Sequence, residues 1–455
     1  MEFQKIKLHR SEKNRAAVTQ ITLDDDYNVP DYRQDIVKVI KERGELRFDE
    51  VKAMEGAAWI KGSLVFKVLY RSDKQEGKIS CLRGEIPFQE RLNMDGLSEY
   101  DAVHATGDME DLTIGVINSR KLNVRAVIVL TASSEKEVDE ELTCELSDGS
   151  SYEQNIVEKE ALKLLVVRRD ICRQKSEAVL PSSKPNIREI LWQSMQLRNV
   201  ESRLVEGKIR LSGEILVSIL YNDEEEGEHL SWYETTVPLD AQAECGVMED
   251  DCIWQVQMVP LTMELEVKPD YDGEERILVM ELALDTHIRI WKEEKIRLLT
   301  DLYSLQKEVK PVFRECPLER LLVKNAAKCR MTEQMELKED KEKVLQICSC
   351  EGKVLLERQE IKPDGVLAEG TVEVNILYIT PDDHMPVGAV QEIYPFSQLV
   401  EIPEMSAQAK VELDASLEQL SAVMLDQEHV EIRAAVRLDL IAFVQEVMQN
   451  IEEAT

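Results

Sequence analysis

Gly62-Ser-Leu-Val-Phe-Lys-Val-Leu-Tyr70, Gly213-Glu-Ile-Leu-Val-Ser-Ile-Leu-Tyr221 and Gly370-Thr-Val-Glu-Val-Asn-Ile-Leu-Tyr378 are one pattern written three times. Every second residue after the glycine is apolar: Leu64, Phe66, Val68, Tyr70; Ile215, Val217, Ile219, Tyr221; Val372, Val374, Ile376, Tyr378. The positions between them are mixed, and each copy places a leucine just before its tyrosine. Period-two alternation rich in β-branched and aromatic residues predicts a strand with one buried face. Wound into a helix, the same residues would scatter over all sides.

The repeat extends outward from these strands. Ile86-Pro87-Phe88, Val237-Pro238-Leu239 and Tyr394-Pro395-Phe396 each place a proline 17 residues after the tyrosine. A turn dipeptide, Glu55-Gly56, Glu206-Gly207 or Asp364-Gly365, precedes each strand. The copies are offset by 151 and 157 residues. That period is too long for a solenoid unit and suits a free-standing domain. The expected division of the 455 residues is 1–150, 151–305 and 306–455.

The flanks supply further strands. Phe3 to Leu8, Glu45 to Ala53, Ile79 to Phe88 and Leu122 to Leu130 read as strands in the first copy, with 91–112 largely polar and irregular. Leu162 to Val167 and Leu278 to Leu284 follow in the second, and Val430 to Leu438 in the third. Pro30-Asp31 ahead of Ile36, Val37, Val39 and Ile40 predicts a short helix, echoed by Ile187, Ile190 and Leu191. Phe443 to Ile451 predicts a short amphipathic helix. The expected fold is mainly β: three tandem homologous antiparallel β-sandwich or barrel-like domains with a few short helices. The short linkers near 145–160 and 305–312 predict domains that touch.

The formal charge of −33 is the strongest global signal. Affinity for nucleic acid and anionic membranes rests on Lys and Arg, so this balance argues against both; it suits either solubility or attraction to a basic partner. The N-terminal MEFQKIKLHRSEKNR carries charge throughout, unlike a secretory signal. No run approaches the ~18 apolar residues of a membrane helix. Nine cysteines without a CxxC pair read as reduced, mostly buried thiols of a cytosolic protein.

Chemistry-bearing patterns are sparse. The chain has no P-loop, GxGxxG, HExxH or GxSxG pattern. The six histidines are scattered; His384 beside Asp382 and Asp383 reads as a solvated turn. Cys348 and Cys350 share a strand face and read as core thiols. Glu224 to Glu226 and Glu249 to Asp251 lack the alternating ligands and glycine of a calcium loop. Trp59, Trp192, Trp232, Trp254 and Trp291 fall at different places in the three copies, which suits packing better than a sugar platform. The repeated tyrosines read as anchored core residues. No catalytic, cofactor-binding or metal-binding residue is assigned, no cofactor is expected, and the sequence sets no oligomeric state.

The turn dipeptide, the Gly-to-Leu-Tyr strand and the proline triplet together resemble the SPOCS domain of sporulation proteins. Three tandem units, with Lys184-Pro-Asn-Ile-Arg-Glu-Ile-Leu191 leading into the second, are similar to the SipL-type family of Clostridia. The resemblance covers residues 30 to 440 or so. It implies a non-enzymatic spore-morphogenesis protein of the mother-cell cytoplasm, acting at the forespore surface to localise the spore coat. Its implied partner is the morphogenetic ATPase of the coat basement layer. Members of this family commonly end in a LysM domain; no LysM-like segment is read here before Thr455. On this reading the acidic hairpin tips at 71–78, 222–228 and 380–386 and the exposed strand edges are the candidate contact surfaces. The competing reading, from the tryptophans and the strand-rich pattern, is a carbohydrate-binding β module for peptidoglycan or cortex glycan.

Overall fold

The structure, a computed structural model, describes residues 2–13, 16–72, 77–147, 152–224, 229–249, 251–338, 341–403, 405–406 and 408–455. The first repeat holds β1 (Phe3–Lys13), β2 (Ala17–Asn28), β3 (Lys38–Met54), β4 (Ala57–Arg71), β5 (Ile79–Asn93), β6 (Val103–Asn118) and β7 (Lys121–Leu146). The second holds β8 (Glu153–Val179), β9 (Ile187–Val205), β10 (Lys208–Asp223), β11 (Leu230–Glu244), β12 (Cys252–Pro269) and β13 (Glu275–Tyr303). The third holds β14 (Pro311–Glu336), β15 (Gln346–Lys362), β16 (Gly365–Ile379), β17 (Val387–Glu401), β18 (Lys410–Met424) and β19 (His429–Ala454).

Each repeat makes two antiparallel sheets. One is a three-stranded meander, β3-β4-β5, β9-β10-β11 or β15-β16-β17, centred on the Gly-to-Leu-Tyr strand. The other is centred on the long last strand: β7 between β6 and the β1/β2 pair, β13 between β12 and β8, β19 between β18 and β14. β1 and β2 pair with successive halves of β7, so together they correspond to the single long strands β8 and β14. The two sheets face each other across one apolar core per repeat. In the first, Leu64, Phe66 and Val68 meet Leu122, Val124, Ala126 and Ile128. Equivalent cores form around Ile215 and Val217, and around Val372 and Val374. Burying each such side chain contributes ~1.5–3 kcal/mol, which holds the two sheets together.

The three tyrosines close these cores in the same way. Tyr70, Tyr221 and Tyr378 are each fully buried. Their hydroxyls donate to the carbonyls of Gln34, Pro185 and Glu342, at 3.1, 3.1 and 3.0 Å, each 36 residues upstream. Burial pushes the Tyr221 hydroxyl up to about 12, so it stays a donor. The strand's first glycine has a steric reason. A Cβ on Gly62 would lie 2.4 Å from the Arg47 carbonyl oxygen, and one on Gly370 2.2 Å from that of Leu355. Each of these glycines faces a bulge in the neighbouring strand, between Phe48 and Glu50 and between Leu356 and Arg358.

The short helices are corrected to loop and strand: among the described residues there is no helix. Residues 30–37 are a turn and loop leading into β3. Their carbonyls are taken by a side chain, since Arg120 donates to Val29, Pro30 and Arg33 oxygens at 3.2, 2.9 and 2.6 Å. Arg276 does the same for Leu180, Pro181 and Lys184. Ile187, Ile190 and Leu191 lie in β9. A bulge between Val39 and Lys41, and its counterparts at Leu191 and Cys348, breaks period two and sets apolar residues side by side. That doublet imitates helical spacing. Phe443 to Ile451 is strand, the far part of β19, where Val447 is exposed and Asn450 and Ile451 are buried side by side, so strict alternation fails. Of 91–112, expected as largely irregular, 91–93 complete β5 and 103–112 belong to β6, leaving 94–102 without regular strand.

Candidate interaction surfaces at the junctions of the three repeats

Each meander sheet turns its outer face towards the other two. Leu69, Leu220 and Leu377, the leucines beside the tyrosines, meet in one cluster with Ile79, Leu191, Trp192, Cys348 and Val387. The cluster is threefold in composition. Ile40, Leu191 and Cys348 each precede their leucine by 29 residues and are the bulge residues described above. Ile79, Leu230 and Val387 each follow by 10. The extra residue of the bulge turns an apolar side chain out of its own sandwich and into this hub. Burial pushes the Cys348 thiol up to about 12, which keeps it an uncharged packing group.

Opposite each leucine the three repeats differ: Lys41 faces Leu69, Trp192 faces Leu220 and Ser349 faces Leu377. The lysine and the tryptophan converge on Glu351, which is 8% exposed. Lys41 Nζ and Trp192 Nε1 both donate to Glu351 Oε1 at 3.0 Å, and Arg43 donates to Oε2 at 3.2 Å. The ammonium also lies 5.2 Å from the Trp192 ring centroid. Burial by itself would raise the Glu351 carboxyl, but Lys41, Arg43 and these hydrogen bonds hold it below the ordinary carboxylate range. One carboxylate thus ties all three repeats. The Ser349 hydroxyl is buried with no hydrogen-bond partner among the described residues.

A second charged junction lies further along the long strands. His287 Nε2 is 2.9 Å from Glu135, Arg289 donates to Glu412 at 3.1 Å, and Lys13 reaches Glu412 at 2.8 Å. The Ser11 hydroxyl also bonds Glu135. Burial would raise both carboxyls. Hydrogen bonds from His287 and Ser11 and the Arg289 charge instead bring Glu135 to about 2. Arg289 and Lys13 bring Glu412 to about 2. Asp414 beside them is raised by burial despite a bond from Gln257. Burial, with the charges of Arg169 and His287, brings His104 down to about 4.

Beyond this junction the long strands pack together as a stem. Leu8 and Leu142 meet Ala161, Ile296 and Leu298, and Cys316 and Leu318. Asn450, 3% exposed, forms two bonds of 2.8 Å with the Thr143 backbone and donates to the Leu299 carbonyl at 3.1 Å. Trp291 of the second repeat stacks at a tilt on Phe443 of the third, 5.4 Å between centroids.

The candidate surfaces are only partly described. Residues 73–76 and 225–228, in two of the hairpin tips, lie outside the described residues, as do Glu225, Glu226 and Asp250 of the acidic runs. The third tip exposes Asp382, Asp383 and His384, with Met385 turned inward. It also touches the first repeat, where Arg71 donates to the His384 carbonyl at 3.1 Å. Trp192 and Trp291 are buried between repeats, and Trp232 and Trp254 lie under Lys184 and Lys324. Among the described residues no cluster of three His, Cys, Asp or Glu is placed to hold a metal ion. All nine cysteines are free thiols, six of them buried. No helix of the described residues is long and apolar enough to cross a membrane. Sequence reasoning named Ile40, Leu191, Trp192 and Cys348 singly but did not bring them together as a hub, and it missed the two buried charge junctions.

These features define an all-β protein of three homologous two-sheet repeats joined through buried apolar and ionic contacts. A profile described as SipL, SPOCS domain matches the chain three times, over residues 35–117, 186–268 and 343–425. These spans cover more than half of the chain, which therefore belongs to the SipL SPOCS-domain family and is sporulation-related. Each span runs from the loop that receives the tyrosine hydroxyl through the meander to the next strand. The searches of curated proteins and of solved structures gave no match.

Proposed function

We propose that this chain is a non-enzymatic interaction protein of sporulation, with residues 1–150, 151–305 and 306–455 as its three domains. It acts in the mother-cell cytoplasm at the forespore surface, where it assembles or localises the spore coat. Its partner is the morphogenetic ATPase of the coat basement layer. The observation that carries this reading is the threefold SPOCS-domain match within one chain. The domain division is supported by the sheets, since no sheet mixes strands from two of these ranges. The packed junctions add a mechanism. Three similar acidic modules held at fixed spacing present repeated contacts to a polymeric surface, and the second contact then forms at high effective concentration.

The test uses the whole chain, because removing 306–455 would uncover Leu69, Leu220 and Trp192 in the hub. Immobilised 455-residue protein is incubated with extract of sporulating cells, and bound proteins are identified by mass spectrometry. Recovery of the basement-layer ATPase, confirmed with the two purified proteins, is the expected result. Failure of the purified pair to bind, together with retention on peptidoglycan, would replace this reading with the carbohydrate-binding one.

A further inference from the structure

The junction of the second and third repeats differs from a closed interface. A cleft of about 370 Å³ opens there, with Leu420 and Cys348 in its floor and Leu216 and Trp232 of the second repeat as one wall. Its rim is apolar: Leu345, Val423 and Met424 are 52%, 46% and 42% exposed. At the corresponding positions of the second repeat, counted from the start of each matched span, stand Arg188, Glu266 and Val267. The third repeat thus has apolar surface where the second has charge at two of the three positions, and the first has Val37, Gly115 and Val116 there. Exposed apolar residues gathered at a concave site, rather than scattered singly, mark binding surfaces.

Two strand edges reach the same cleft. β15 is laddered to β16 alone and β18 to β19 alone, and the cleft is lined by Leu345 with 346–350 of the first and by 420–424 of the second. The protein already satisfies this edge from outside at one place. Gln196 of the second repeat donates from Nε2 to the Cys350 carbonyl at 3.1 Å and accepts from the Gly352 N–H at 3.3 Å. One side-chain amide there does what a neighbouring strand would do. Arg198 likewise donates to the Leu420 carbonyl. Nearer the mouth Leu345 and Gln346 are exposed and Ile347 is half-buried, so the start of this edge is accessible to the same kind of partner.

Charge selects the partner further. Glu234 lines the cleft with part of its surface exposed; burial raises its carboxyl against the charge of nearby Arg198, on a chain of net charge −33. We propose that this cleft binds an extended segment of a partner protein, with a large apolar side chain in the cleft and a Lys or Arg two residues away facing Glu234. Residues two apart share a face of a strand, so one segment can satisfy both. The inference rests on the reading of the chain as a protein-binding assembly factor and gives that reading a location.

The test pans displayed random peptides of ~12 residues, about 40 Å when extended, on the immobilised full chain. Selected peptides are then measured by fluorescence anisotropy against the parent, Ala422→Trp, at a residue lining the cleft, and Glu234→Lys. The expected result is an apolar-x-basic consensus, with affinity weakened ~10-fold or more by Ala422→Trp and ~3-fold or more by Glu234→Lys. Should Ala422→Trp fail to fold by its melting curve, Val423→Lys on the exposed rim reads the same contact. Absence of such a consensus, or affinity unchanged in the variants, overturns the proposal. The two readings fail separately. Coat ATPase recovered equally by parent and Ala422→Trp sinks the cleft alone, whereas cleft-dependent peptide binding without ATPase binding sinks the coat partner alone.

Discussion

The tyrosine bonds inside the repeats and the residues opposite the hub leucines are two regions with opposite habits. Inside, three tyrosines make the same bond to the same loop at nearly the same length. At the hub, three corresponding positions carry Lys41, Trp192 and Ser349, and only two of them reach Glu351. Each repeat must fold the same sandwich, so its internal contacts are held alike. Each must also sit in one place among three, and three identical hub faces would let the repeats exchange places. The difference teaches that the fold is threefold while the assembly is not.

The sharpest way to break this comparison is to substitute the three hub positions in turn. Trp192→Ala removes a buried ring and its bond to Glu351, and is expected to cost ~3–5 kcal/mol by urea unfolding. Lys41→Ala leaves the Glu351 carboxylate with Arg43 and Trp192 and is expected to cost ~3 kcal/mol. Equal losses at these positions and at Ser349 would mean that the hub is symmetric after all.

Acidification addresses the second junction. Glu135 and Glu412 lie near 2 in the folded state against an ordinary 4.5. Their contribution is fully present above about 4.5 and is lost as pH falls through about 2, on the order of 2 kcal/mol each. His104, ordinarily 6.5 and here about 4, removes stability earlier, between those two values. Asp414, raised in the fold, works in the opposite direction. The double variant Glu135→Gln, Glu412→Gln is expected to melt lower than the parent at pH 7 and to show a shallower loss between pH 4.5 and 2. An unchanged acid limb would assign the acid sensitivity elsewhere.

Smaller effects sharpen the symmetric half. Tyr70→Phe, Tyr221→Phe and Tyr378→Phe each strip a donor from a loop carbonyl, and each should cost ~1 kcal/mol, alike in the three repeats. Ser349→Ala is expected to be neutral or slightly stabilising, within ~1 kcal/mol, because its hydroxyl is buried with no partner among the described residues. A marked loss on Ser349→Ala in thermal melts would reveal a contact for that hydroxyl.

The sequence by itself determined the repeated unit. The Gly-to-Leu-Tyr alternation fixes which face of β4, β10 and β16 is buried, because period two leaves one choice of side. The turn dipeptides and the proline fix the meander: Pro87, Pro238 and Pro395 stand opposite the residue after the strand glycine in all three sheets. These are local signals, carried within a few tens of residues. The helices read at Val39-Ile40 and Ile190-Leu191 failed because a bulge produces the same apolar doublet as a helix turn, and only the neighbouring strand shows which it is. What tertiary structure alone decided is the joining of the repeats. Glu351 meets Lys41 across 310 residues and Asn450 meets Thr143 across 307. Contacts of that separation leave no periodicity in the chain. They exist only once three finished sandwiches bring their outer faces together.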